Sequence, residues 1–212
     1  MSKAPAKAPA KRVRRSPTAA RLAVLDVAER RLREHGLEGL AIVDVAADVG
    51  MSHATLLHHF GSSDGMRAAL IERMATNLLG EVTALLGRQD AQEHRSGDFF
   101  VHLFEALAGG GHAKLIGWQN LVANRDGKAR MSSETRALFN QVLDGLRIRL
   151  IEYGRDAATA DRDARFIVLL VVSSALGFGI GRDTLLDDVG LTQQSETEFA
   201  LWMGQLVSGL MR

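Results

Sequence analysis

Ile42 to Phe60 reads IVDVAADVGMSHATLLHHF. Ile42, Val45, Ala46 and Val49 recur at helical spacing and form one apolar face that ends at Gly50. Ser52 stands where an N-cap belongs, and a second short helix, His53 to Phe60, turns Leu56 and Phe60 inward. Two short helices joined by Gly50-Met51-Ser52 predict a helix-turn-helix, because the glycine permits a sharp reversal and the second helix can then enter a DNA major groove. The bare pattern also fits any helical hairpin with a glycine turn.

Working outward, Leu22, Leu25, Ala28 and Leu32 predict a first helix over about 18 to 35, capped by Gly36. After Gly61-Ser62-Ser63, a periodic segment of about 64 to 87 carries Met66, Leu70, Met74, Leu78 and Leu85. Further helices are expected at about 97 to 108, 113 to 124, 133 to 153, 160 to 180 and 196 to 211. The last opens on Ser195-Glu196-Thr197-Glu198, the spacing of a capping box. Three prolines, one tyrosine and long runs of Ala, Leu, Arg and Glu point to an all-α fold. The expected domains are a disordered basic arm (1–16), a three-helix DNA-binding domain (17–62) and a larger helical bundle (63–212).

VAADVGMSHATLLHHF, residues 45–60, resembles the helix-turn-helix of the tetracycline-repressor (TetR) family. The matching positions are Val45-Ala46, Gly50-Met51-Ser52, Leu56, His59 and Phe60, and AERRLREHGLEGL resembles the family's first helix and following loop. The resemblance covers about residues 21 to 70. It implies a sequence-specific transcriptional regulator and not an enzyme: a homodimeric repressor released from a palindromic operator when a small-molecule effector binds the bundle. The alternative is a protein-interaction or antagonist relative with degraded operator specificity. The chain departs from the family where Thr is common at Ala41, Tyr at Leu57 and Lys at Ser63, residues that cap a helix or touch phosphate. By resemblance, His53, Ala54 and Leu57 are expected at base edges. Thr55, His58 and His59 are expected on phosphate, with Ser52 and Val43 beside them.

Charge is unevenly placed. Net charge is +1, yet residues 1–15 hold Lys3, Lys7, Lys11, Arg12, Arg14 and Arg15 and no acid. Between Ser16 and Phe60, four arginines face six carboxylates, so the module itself is net negative. Attraction to double-stranded DNA is therefore expected from the arm, with Arg12, Arg14 and Arg15 as phosphate contacts. Basic tails that only aid solubility, or bind nucleic acid without choosing a sequence, share this composition.

Other constellations are weaker. His53, His58 and His59 are not at i, i+4 spacing, so no metal site is expected, and no cofactor motif is present. Gly109-Gly110-Gly111 lacks the flanking Lys and Ser/Thr of a phosphate loop and reads as a helix break. His102, His112, Trp118, Phe139 and Phe178 are candidates for an effector pocket or for plain core. Phe166, Leu170, Ser174 and Gly177, with the stripe Trp202, Leu206 and Leu210, suit a helical dimer interface, although the first run also reads as simple core. The run Phe166 to Ile180 is shorter than the roughly 18 to 20 apolar residues of a membrane span, so no membrane partner is expected. With no cysteine, the composition suits a reducing compartment, and cytoplasm is the expected location.

Overall fold

The computed structural model describes residues 16–86, 101, 104–109, 111–122, 132–192 and 195–211. The expectations for the arm and for His102 lie outside the described residues. The described residues form helices α1 (Pro17–His35), α2 (Ile42–Val49), α3 (His53–Phe60), α4 (Ser63–Leu86), α5 (His112–Val122), α6 (Ser133–Glu152), α7 (Ala157–Asp188) and α8 (Ser195–Met211). A 3-10 turn, Gly36–Leu40, joins α1 to α2, and residues 104–108 are also helical. No strand occurs among the described residues, so the fold is all-α.

The first three helices follow from their caps. Ser16 Oγ accepts from Ala19 N at 3.2 Å, and Pro17 takes the first helical position, where its missing N–H costs nothing. Ala41 caps α2 without a side-chain bond. The entry to α2 is braced from outside instead: Arg31 Nε donates to Gly39 O at 2.8 Å, and its guanidinium reaches Asp44 and Asp48 on α2. Gly50 then ends α2 in the left-handed region at φ 72°, a conformation that side chains resist, and its N–H returns to Ala46 and Ala47. Ser52 Oγ accepts from Thr55 N at 3.1 Å and starts α3.

One core closes this module. Val24, Leu25, Ala28 and Leu32 of α1 meet Val45 and Ala46 of α2 and Leu56 of α3. Met66 and Leu70 of α4 and Leu115 of α5 complete it, so the first half of α4 belongs to the module's core as well as to the bundle. Fully burying each leucine or methionine is worth about 1.5–3 kcal/mol.

The bundle is built by α4 on α6, α6 on α7, and α5 on α7. Val82, Val142, Leu146, Leu150, Ile167, Val171 and Val207 form one core, and Phe104, Phe178 and Ala200 centre another. A buried polar joint fixes α6 to α4: Thr135, fully buried, donates to Glu72 and lies 2.9 Å from Thr76 Oγ1. Burial opposes ionisation of Glu72, but hydrogen bonds from Ser132 and Thr135 outweigh it and hold the carboxyl below its ordinary range.

Both ends of α7 and the start of α8 differ from those expected. α7 runs over 157–188 rather than about 160 to 180. Asp156 starts it early by accepting from Ala158 N and Thr159 N, and the glycines do not stop it. Gly179 serves packing instead: a Cβ there would lie 2.5 Å from Ala108 O, so only glycine lets α7 pass the helix break before α5. α8 begins with Ser195 itself rather than after it, and Glu196 pairs with Arg182 at 3.2 Å.

An 18-residue window of α7 reaches a mean hydropathy of 1.9, so apolar length alone does not separate this helix from a membrane span. Packing does: Ala164, Ile167, Val171, Ala175 and Phe178 are buried against neighbouring helices, which makes α7 a core helix.

Candidate nucleic-acid interface and ligand cavity

The helix-turn-helix presents α3 outward. His53, Ala54, Thr55 and His58 are exposed, as is Ser52 at its cap, while Leu56 is fully buried beneath them. Leu57, expected on the outer face, is half-buried, because an eight-residue helix wedged between α1, α2 and α4 covers part of that flank. His59 is also half-buried, and its ring lies 6.0 Å from that of His58. Val43 is 61% exposed on α2. The Ser52 and Thr55 hydroxyls are 2.8 Å apart, so they occupy one another as well as the helix cap.

The module's arginines are turned inward or sideways. Arg30 and Arg31 reach Asp48 at 3.2 and 2.9 Å, and Arg31 reaches Asp44 at 3.2 Å. The hydrogen bond from Arg31, aided by both positive charges, holds the Asp48 carboxyl below its ordinary range. Arg33 pairs with Glu29, and Arg73 with Asp26 and Glu29. Arg21 donates to the His59 carbonyl at the end of α3 and lies 4.3 Å over the Phe60 ring. Arg67 pairs with Asp64 and lies 4.7 Å over the Trp118 ring. Every arginine from Arg21 to Arg73 is therefore engaged within the protein, and no lysine occurs between Lys11 and Lys114. The outer face of α3 carries histidine and hydroxyl groups but no fixed cation.

Below the module, a cavity of about 410 Å³ opens between α4, α6 and α7. Met74, Leu78, Val142, Leu146 and Val171 give it a mostly apolar wall, and Glu29 of α1 and His112 of α5 also reach it. Of the expected pocket residues, Phe139 and His112 line this cavity. Trp118 does not, because it packs on the module's core beneath Arg67. Nor does Phe178, whose ring stands 5.3 Å from both Phe104 and Phe199 in a separate aromatic cluster. Sequence reasoning sought aromatic and titratable groups and passed over the aliphatic wall, whose positions look like any helical core stripe. Glu29 was legible only as one of several acids on α1.

The outer faces of α7 and α8 keep much apolar surface in water. Phe166 is 60% exposed, Trp202 56%, Leu206 40% and Leu210 42%. Gly177 is exposed beside them, whereas Leu170 and Ser174 are half-buried. Among the described residues no group of three or more His, Cys, Asp or Glu is arranged to hold a metal ion.

Residues 24–70, which span the module's core and its outward helix, match the family model for bacterial regulatory proteins, tetR family. The HTH-type transcriptional regulatory protein RaaS of Mycobacterium tuberculosis is 25% identical over 114 residues, covering 47% of this chain and 54% of RaaS. The match thus spans about half the length of that curated relative. Among solved structures, a TetR-family regulator from Mesorhizobium loti superposes with a TM-score of 0.64 at 15% identity, covering 93% of this chain and 97% of its own. A second, from Streptomyces coelicolor, gives 0.57 at 16% identity over 90% and 79%. At such identities the likeness establishes the fold across nearly the whole described chain.

Proposed function

We propose that the chain, whose residues 24–70 match the family model for bacterial regulatory proteins, tetR family, is a homodimeric repressor that binds a palindromic operator in the cytoplasm and leaves it when a small molecule fills the bundle cavity. The observation that carries this reading is the outward face of α3, where His53, Ala54, Thr55 and His58 are exposed over a buried Leu56. A helix so presented fits the major groove, and two of them fit half-sites about one helical turn, roughly 34 Å, apart.

His53 and Ala54 are the base-edge contacts in this reading, with Leu57 limited to packing on a thymine methyl or a sugar. Ser52, Thr55, His58, His59 and Val43 lie along the backbone path. Because the module's arginines are engaged elsewhere, the cations of the arm, among them Arg12, Arg14 and Arg15, supply the phosphate contacts. The exposed stripes of α7 and α8 suit a four-helix dimer interface. The cavity falls within the roughly 300–1,000 Å³ usual for small-molecule sites and sits against α4, the helix shared by both cores. An effector there would shift α4 and change the separation of the two α3 helices.

Selection of binding sites from random DNA at physiological salt tests this reading. A two-fold symmetric consensus bound in preference to scrambled duplex is the expected result. Uniform, non-selective binding would instead favour an interaction or antagonist role, for which the absence of a fixed cation on α3 speaks.

A further inference from the structure

Resting on the effector reading above, we infer that the cavity takes an apolar molecule bearing one protonated amine, and that it rejects carboxylates and phosphates. The first observation is His112. Its Nδ1 lies 2.8 Å from the Ala106 carbonyl, which can only accept, so Nδ1 carries the proton. In the neutral ring Nε2 is then an acceptor, and that atom is buried with no hydrogen-bond partner among the described residues. A buried polar atom left unsatisfied costs free energy that a bound donor would recover. A carboxylate or a fully ionised phosphate offers no donor and would set its own lone pairs against Nε2.

The second observation is the charge of the wall. Two carboxylates, Glu29 and Glu81, line the cavity, and among the described residues no lysine or arginine does. Glu81 is exposed and its charge is screened by water. The Glu29 side chain is 19% exposed and, although paired with Arg33 and Arg73, favours a cation over an anion of equal size at this wall. An ammonium also supplies three donors, against one from a hydroxyl.

The third observation ties this ligand to the DNA-binding module. Glu29 belongs to α1, and its carboxylate holds Arg73 of α4 at 3.1 Å. Arg73 also meets Asp26 and the Leu22 carbonyl, both on α1. An ammonium drawn to Glu29 competes with Arg73, and with Arg33 of α1 itself, and loosens the joint between α1 and α4, the helix that connects both cores.

A matched series separates the classes: 3,3-diphenylpropylamine, 3,3-diphenylpropanol and 3,3-diphenylpropanoate share one apolar body, and each is titrated calorimetrically into the full chain. The amine is expected to bind about tenfold more tightly than the alcohol, and the carboxylate most weakly. Glu29→Gln should reduce the amine's advantage while leaving alcohol binding intact, which also reports that the cavity is folded. His112→Phe should weaken amine and alcohol together. A carboxylate that binds as well as the amine overturns the inference, as does an amine indifferent to both substitutions or a series that does not bind at all. Operator selection is measured without any ligand. Selective DNA binding without amine preference therefore removes this inference alone, and amine preference without selective DNA binding removes the regulator reading alone.

Discussion

The helix-turn-helix module and the bundle solve burial differently. In the module, α1, α2 and α3 close around Leu32, Leu40, Val45 and Leu56, all at most 1% exposed, and arginine–carboxylate pairs lace the outside. In the bundle, apolar surface remains unmatched on both sides of the helices, as a cavity of about 410 Å³ within and as exposed Phe166, Trp202 and Leu206 without. The first region closes its core within one chain and leaves the outer face of α3 exposed. The second leaves apolar surface where the proposed function puts a ligand inside and a second copy outside.

The largest way to break this contrast is Leu56→Ala, which removes a fully buried side chain from the closed core. It is expected to lower unfolding free energy by about 2–5 kcal/mol in a urea titration. A drop of less than about 1 kcal/mol would mean that the module is as loosely packed as the bundle. Next, Trp202→Glu with Leu206→Glu places charge on the outer stripe. The dimer Kd, read by sedimentation equilibrium, should rise by at least about 100-fold while helix content stays unchanged. An unaltered dimer would move the interface elsewhere.

Phe139→Leu sharpens the comparison from the cavity side. Phe139 is half-buried at an opening rather than locked in a core, so the change should cost less than about 1.5 kcal/mol and still alter the affinity of any bound effector.

The smallest expected effect concerns Asp48, held below its ordinary range by Arg31 and Arg30. A depressed carboxyl pKa contributes stability above the unfolded value, near 4, and that contribution disappears as pH falls through the folded value. The difference between the protein and Asp48→Asn should therefore be greatest near neutrality and shrink below about pH 4. A difference that grows on acidification would contradict the sign.

Much of the module was legible from residue types alone. Gly50 and Ser52 mark the turn, and α3 falls on His53–Phe60 as read, because capping and positive φ are local demands. The bundle was legible as helices but not as a site. Phe139 and His112 reach the cavity while Trp118 and Phe178 face other cores, and one helical stripe in sequence does not say which neighbour it meets. The extent of α7 was hidden for a related reason: Gly179 looks like a stop, but its role is set by Ala108 and Ala113 across the packing. The inward turning of Arg30 and Arg31 likewise depends on Asp44 and Asp48 arriving from another helix.

The central claim is that α3 offers DNA a face without fixed cations and that the charge comes from the arm. Its most direct test is the salt dependence of affinity for the selected palindrome, compared between the full chain and a chain lacking residues 3–15. Every phosphate that the arm neutralises adds about 0.9 to the steepness of log K against log salt, so the shortened chain should show a flatter slope and a weaker affinity. An unchanged slope and affinity would contradict the claim and return the phosphate-binding role to the module itself.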